Sequence, residues 1–149
     1  KFARWLQGKC IPFYLPTFSR TTVSYRKRRT TIEALFPGYV FVQGEHQKEH
    51  FTQSGSVVRL LKPRCQAEHS VMDGQLADIW HAAASGLPLV PSPVLCAGQR
   101  IEILDGPMQG TVGRFQRMGR QQCVILEIDM LGVGVAVELL HGCRYQVVD

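Results

Sequence analysis

The stretch that decides the fold is Leu35-Phe36-Pro37-Gly38-Tyr39-Val40-Phe41-Val42. Pro37 holds its φ angle near about −65°, and Gly38 accepts the positive φ that a tight turn often requires. Residues 39–42 are all aromatic or β-branched, which favours a strand that is covered on both faces. The stretch therefore predicts a tight turn that leads directly into a buried strand.

The residues before this turn predict a basic β-hairpin. The segment from Ser19 to Ala34 is rich in threonine and arginine, and threonine favours strands. The run Arg26-Lys27-Arg28-Arg29 would repel itself inside a packed element, so we place it at the hairpin tip. A solvated loop is the alternative, and the charge run by itself favours that alternative. Further upstream, residues 1–8 predict a helix and residues 10–15 predict a short edge strand.

The segments after the signature strand predict two helices, a linker and six more strands. Residues 45–53 predict a weak helix, residues 57–61 a short strand, and Asp73 caps a helix that ends at Ala84. Three prolines within residues 87–97 predict an extended linker without regular pairing. Short apolar runs separated by glycine turns then predict a small barrel with strands at 99–104, 111–118, 123–128, 135–140 and 144–148.

Charge and cysteine usage limit the classes of partner. The net charge is +5, and residues 1–40 hold eight basic residues against one acidic residue, whereas the remaining chain holds nine against eleven. This asymmetry indicates that the first part of the chain meets a polyanion. The chain has no apolar run as long as a membrane span, so we expect no membrane partner. Five cysteines without CxxC spacing predict reduced, mostly buried thiols in a cytosolic protein.

A second motif lies in the carboxyl-terminal part of the chain. A strand, a Gly-Pro turn and a second strand broken by glycine resemble the KOW motif. Two of its glycines shape the loop, and Gly113 permits a bulge or a close approach. The motif residues are Gly98, Ile101, Gly106, Pro107, Gly110 and Gly113.

Taken in this order, the two motifs resemble the NusG-type transcription elongation and antitermination factors over essentially the whole chain. Ser85-Gly-Leu-Pro and Val137-Glu-Leu-Leu resemble the specialised UpxY and RfaH-like branch more than general NusG. The resemblance implies an α+β fold. A NusG amino-terminal domain, an antiparallel sheet with helices, occupies residues 1–85. A proline-rich linker follows at 86–97, and a five-stranded KOW β-barrel occupies residues 98–149.

One family element is missing from the sequence. The family's first strand normally precedes the helix predicted at residues 1–8, and no such strand stands there. The chain opens with Lys1 rather than methionine, so we expect that residues are missing at the amino terminus. The amino-terminal domain is therefore expected to lack its first strand.

The resemblance implies that the amino-terminal domain binds the clamp helices of RNA polymerase. Phe36, Pro37 and Tyr39 match family positions at that apolar surface, and aromatic rings beside a rigid turn make good anchors. We therefore predict that the Phe36 ring points outward, although residue type alone favours core packing for Phe36 and Tyr39.

The resemblance also implies a nucleic-acid partner and a second protein partner. The hairpin would face DNA or nascent RNA in the elongation complex, where phosphate contacts act without base reading. Tyr25 at its tip either stacks on an unpaired base or packs on the hairpin. The KOW barrel would recruit a ribosomal protein or a termination factor. The residues predicted to face nucleic acid are Arg20, Tyr25, Arg26, Lys27, Arg28 and Arg29.

Two other classes of function are weighed against this one. A KOW-containing RNA-binding or ribosome-associated protein would share the carboxyl-terminal motif. A zinc protease would use His46-Gln-Lys-Glu49-His50, which matches the inverted H-x-x-E-H pattern. That segment is short and polar, and no third ligand is marked downstream. We expect no catalytic activity, no metal, no cofactor and a cytoplasmic location.

Overall fold

The chain folds into short helices and antiparallel strands, which a computed structural model describes for residues 1–92 and 98–149. The described helices are α1 (Phe2–Gly8), α2 (Lys48–Phe51), which continues as a 3-10 helix (Thr52–Ser54), and α3 (Gln66–Ala84). The described strands are β1 (Phe13–Tyr14), β2 (Thr17–Ser24), β3 (Lys27–Ala34), β4 (Phe41–Val42), β5 (Leu89–Ser92), β6 (Arg100–Ile103), β7 (Val112–Met118), β8 (Gln121–Ile128), β9 (Val133–Glu138) and β10 (Tyr145–Val147).

The largest sheet has six antiparallel strands in the order β10-β6-β7-β8-β9-β5. Its centre is β8 against β9, where Val124 pairs with Val137 and Leu126 with Val135. All four of these side chains are buried, which matches the high β propensity of branched apolar residues in covered strands. The five strands predicted after Gly98 are confirmed, with ends that differ by one or two residues.

The sheet is open, so the prediction of a closed five-stranded barrel is wrong. Strands β10 and β5 are its two edges and do not pair with each other. Strand β5 lies in the stretch predicted to be unpaired, and it pairs with β9 over four positions from Leu89 to Ser92. Pro91 is tolerated there because β5 is an edge strand, the place in a sheet where proline is found. The linker residues 93–97 lie outside the described ranges.

Helix α3 packs on the large sheet and joins the two halves of the chain. Ile79 and Ala82 are fully buried and share one hydrophobic cluster with residues of β6, β8 and β9. Gln75 Oε1 accepts a hydrogen bond of 3.1 Å from the Asp129 N–H, beyond the end of β8. Burial raises the pKa of the Asp78 carboxyl, although it accepts a hydrogen bond from the Val112 N–H.

The start of α3 differs from the prediction. The helix begins at Gln66 and not at Asp73, seven residues later. Glu68 lies in the first turn, where a carboxylate is favoured by the helix dipole. Its oxygens accept hydrogen bonds from the Arg64 N–H (2.7 Å) and the Arg64 Nε (3.0 Å), and these bonds lower the pKa of the carboxyl. This local pair fixes Arg64 just before the helix, and the N-cap residue Cys65 makes no side-chain capping bond.

The amino-terminal strands form two separate pairs and not the single sheet that was predicted. Strands β1 and β4 pair over two residues each, and β2 pairs with β3 as an independent hairpin. Pro12 and Pro16 flank β1 and have no N–H to donate, which limits the ladder there. The strand predicted at 57–61 is also wrong, because those residues have no regular pairing.

A small aromatic cluster packs α1 on α2, outside the main core. The helix predicted at residues 1–8 is confirmed, and Leu6 on it is fully buried. Phe2 stacks on Trp5 with ring centroids 5.9 Å apart, and both rings meet the buried Phe51 edge-on. Among the helices that the structure describes, none combines the length and apolar character needed to cross a membrane.

The position of β5 leads to a prediction about fragments. The free energy of unfolding is expected to be about 2 kcal/mol higher for a fragment of residues 86–149 than for residues 98–149, because β5 pairs with β9 and its Leu89 is buried. Thermal melts followed by circular dichroism measure the difference, and both fragments should give β spectra. Equal melting temperatures would contradict a stabilising role for β5, and a helical spectrum for 98–149 would contradict the strand assignment.

Candidate functional site

The Pro37-Gly38 turn has the geometry that the sequence predicts. The Tyr39 N–H donates to the Phe36 carbonyl at 3.1 Å, which closes a four-residue turn. Gly38 has φ of +86°, which is the value that a type II turn requires at its third residue. A Cβ added to Gly38 would meet no atom within 4 Å, so a side chain would have room here. Glycine is favoured because of the positive φ angle.

The strand after this turn is shorter and less covered than predicted. Only Phe41 and Val42 form it, and both side chains are half-buried. They pair with Tyr14 and Phe13 of β1, which is itself only two residues long. Since both side chains are only half-buried, the prediction of a strand covered on both faces is wrong.

The structure places Phe36 in the core, so the prediction of an outward ring is wrong. Phe36 is 2% exposed, and its ring meets Phe41 edge-to-face with centroids 5.9 Å apart. It belongs to the cluster that contains Ile79 and Ala82 of α3. The rigid turn places this ring in the hydrophobic cluster, where burial removes its apolar area from water. Of the three predicted polymerase-binding residues, Pro37 and Tyr39 remain on the surface.

The predicted basic hairpin is present, and the alternative of a loop is wrong. Strands β2 and β3 pair over eight positions, from Thr17 with Ala34 to Ser24 with Lys27. Arg26 lies in the two-residue turn, and the other three cations of the run begin β3. Nearly all of both strands is exposed, so the hairpin projects from the rest of the protein.

Tyr25 stands free at the hairpin tip. Its side chain is 99% exposed, which excludes the alternative that it packs on the hairpin. Tyr25 and Arg26 have φ of 48° and 63°, the left-handed region used by type I′ turns. Asn-Gly is the usual sequence there, and a bulky residue in this region costs about 1 kcal/mol or more. The tip therefore presents an unpacked aromatic ring at some cost in stability.

The charge on the hairpin is almost unneutralised. Arg20 lies 3.5 Å from Glu33, in an exposed ion pair. Within residues 1–92 and 98–149, no carboxylate forms an ion pair with any residue of the run 26–29. A projecting element with unpaired cations produces a positive potential that attracts polyanions.

The KOW-motif residues have structural roles in the large sheet. Ile101 is buried in the core, Pro107 is exposed, and the loop glycines Gly106 and Gly110 both have positive φ. The Gly98 carbonyl accepts a hydrogen bond of 3.1 Å from the Arg114 guanidinium.

The close approach predicted at Gly113 is confirmed. A Cβ on this residue would lie 2.5 Å from Val124 Cγ2 and 2.6 Å from the Ile125 carbonyl oxygen. Strands β7 and β8 therefore pack together at a point where only glycine fits.

The histidines of the H-x-x-E-H pattern do not share a helix face. Helix α2 begins at Lys48, so His46 lies outside it. His46 Nε2 is 2.8 Å from the Gln43 carbonyl, and His50 Nδ1 accepts a hydrogen bond from the Gln47 N–H. In the part of the chain that the structure describes, no three candidate side chains come together as metal ligands.

The cysteines are less buried than predicted. Cys10 and Cys65 are exposed, Cys143 is partly buried, and only Cys123 of the four described thiols is buried. Burial raises the pKa of the Cys123 and Cys143 thiols, so both are neutral and weakly nucleophilic at neutral pH. Cys96 lies outside the described residues.

One cavity was not foreseen from the sequence. It has a volume of about 370 Å³ and lies between the loop after β6 and the loop after β9. Leu87, Ile103 and Leu139 contribute apolar lining. The Arg144 guanidinium bonds the Asp105 carboxylate at 2.8 Å beside it and holds the pKa of that carboxyl below its usual range. The two loops are more than thirty residues apart, so no local pattern marks the cavity.

Comparison of the chain with protein-family models, curated proteins and solved structures gave no match. A functional assignment therefore depends on the residues and geometry described above: the projecting basic hairpin, the turn that follows it, and the open sheet packed on α3.

Proposed function

We propose that this chain is a transcription elongation or antitermination factor of the NusG type, from the specialised UpxY and RfaH-like branch. It binds the clamp helices of RNA polymerase, keeps the enzyme closed on nucleic acid, and suppresses pausing or termination. The observation that carries this proposal is the continuous run from a projecting hairpin with unpaired cations into the rigid turn at residues 36–39.

The two ends of that run suit two kinds of contact. At one end, Tyr25 and the run 26–29 are exposed, which suits phosphates and unpaired bases of DNA or nascent RNA. At the other end, Pro37 is exposed and Tyr39 is 39% exposed, which suits an apolar protein surface such as the polymerase clamp. Phe36 lies beneath and holds the turn in place.

The rest of the proposal concerns partners and location. The sheet at residues 98–149 acts as the KOW unit and contacts a ribosomal protein or a termination factor. The factor acts in the cytoplasm without a cofactor and without catalysing a reaction itself. Four free thiols among the described residues agree with a reducing compartment.

Replacing Tyr39 with alanine tests the polymerase contact. We expect the binding free energy for core RNA polymerase to weaken by about 2 kcal/mol, the usual loss for an aromatic hot spot. Thermal stability should change little, because the ring is 39% exposed. Tyr145→Ala is the matched control, since Tyr145 is 38% exposed on the large sheet, away from the turn.

Binding to polymerase and to ribosomes is measured on the same three proteins. Equal polymerase affinity for Tyr39→Ala and the wild type would contradict the turn as the contact site. Absence of wild-type binding to polymerase, with retention on ribosomes, would contradict the proposed factor and favour the ribosome-associated alternative.

A further inference from the structure

The register of the hairpin gives it two chemically different faces. Directly paired residues project to the same side of a two-stranded sheet, and successive residues alternate between sides. One side, which we call the basic face, carries Arg20 of β2 and Lys27 and Arg29 of β3, with Ser24 opposite Lys27. The other side, which we call the neutral face, carries Val23 opposite Arg28. The run 26–29 is therefore divided between the turn and both faces.

The basic face is a regular row of cations. Lys27, Arg29 and Arg20 occupy three successive pairs on this side, opposite Ser24, Thr22 and Thr31. Same-side pairs along a strand are spaced by about 7 Å, so the row extends over about 14 Å. Glu33 follows in the next pair and is the only acidic residue on the hairpin.

The neutral face has a different composition. Val23 is 68% exposed and Ile32 is 76% exposed. Between them, the Thr21 and Thr30 hydroxyls form a hydrogen bond of 3.2 Å across the strands. Arg28 is the single cation on this side, whereas two of the three cations on the basic face are unpaired within the described chain, so the neutral face attracts a polyanion less strongly.

We propose that the basic face alone lies along the phosphate backbone of duplex DNA, with Lys27 and Arg29 each contacting one phosphate. This inference deepens the proposed function, on which it rests for its nucleic-acid partner. Charge complementarity selects the face, because it has three cations, of which only Arg20 is paired with a carboxylate of the described residues, whereas the opposite side has one cation. Tyr25 stands at the tip, outside the row, and no exposed ring of the described hairpin lies between these cations, so the row suits the phosphates of a duplex more than a single strand, whose binding depends on stacking platforms.

Salt-dependent binding to a duplex tests the assignment of the face. The full chain is titrated onto a 30-base-pair duplex and the corresponding single strand at several salt concentrations. In the Lys27→Gln/Arg29→Gln double variant, the slope of log K against log salt for the duplex should become shallower by about 1.8, or 0.9 for each lost phosphate contact. The matched control is Arg28→Gln/Arg59→Gln, which removes the same charge from two exposed positions off the basic face.

The expected result is a near-unchanged slope for the control, with the single strand bound more weakly than the duplex by the wild type. An equal change of slope in both double variants would overturn the proposal, because net charge alone would then explain binding. A single strand bound as tightly as the duplex, with the same loss in the Lys27/Arg29 variant, would also overturn it. Melting curves of all variants verify that each is folded.

The same proteins separate this inference from the proposed function. Binding to core polymerase without nucleic acid does not involve the basic face, so the Lys27/Arg29 variant should bind it like the wild type. If no protein binds polymerase but the duplex slopes behave as expected, the proposed function fails and the face assignment stands. If polymerase binds and the duplex slopes do not respond, the face assignment fails alone.

Discussion

Replacing Phe36 with alanine is expected to lower the free energy of unfolding by about 3–5 kcal/mol, the usual cost of truncating a buried phenylalanine. The ring is 2% exposed, packs edge-to-face on Phe41, and shares a cluster with Ile79 of α3. Its removal leaves a cavity in that cluster, beside Phe41. Denaturant unfolding of the purified variant measures the loss.

Tyr39→Ala is the control for Phe36→Ala, because it truncates an aromatic ring of the same turn that is 39% exposed. It should destabilise the protein much less than Phe36→Ala. A Phe36→Ala variant with near wild-type stability and greatly reduced polymerase affinity would contradict burial of this ring. It would support direct contact between the Phe36 ring and the polymerase.

Replacing Gly113 with alanine is expected to cost about 3 kcal/mol or more, at the upper end of the range for overpacking. The new methyl group would lie 2.6 Å from the Ile125 carbonyl oxygen, which is backbone and cannot rotate away. Strands β7 and β8 would have to separate in the middle of the large sheet. Thermal unfolding followed by circular dichroism in the β region measures the effect.

Gly74→Ala is the matched control for Gly113→Ala. Gly74 lies in the middle of α3 without positive φ, and an added Cβ meets no atom within 4 Å. This substitution should stabilise the protein by about 0.5–1 kcal/mol, since alanine is the better helix former. Equal effects of the two substitutions would contradict the close approach of β7 and β8.

Local patterns predicted the elements whose signals are complete within a few residues. The turn at Pro37-Gly38 needs one residue with restricted φ and one with positive φ, and both stand next to each other in the sequence. The hairpin follows from threonine-rich flanks around a charge run that resists burial. The five strands after Gly98 follow from apolar runs separated by glycines, because each turn needs a glycine close to its strand ends.

Predictions that depended on contacts between distant segments were wrong. The sequence of β5, which contains Pro91, predicts an unpaired linker. The segment forms a strand because it pairs with the edge of β9, which is distant in the sequence. The large sheet is open because its two edge strands, β10 and β5, do not pair with each other. No local pattern in the sequence shows whether two edge strands will pair.

The sequence by itself determined the turn, the hairpin and its charge, because these depend on backbone preferences and electrostatic repulsion between neighbouring residues. Only the tertiary structure decided which way Phe36 points and which cations share a face. A ring beside a rigid turn has the same local chemistry whether it faces solvent or the core, and the cluster that buries it includes residues of α3 about forty residues away. Likewise, alternation along β3 separates Lys27 from Arg28, but only the pairing register places Arg20 of β2 on the same side as Lys27 and Arg29.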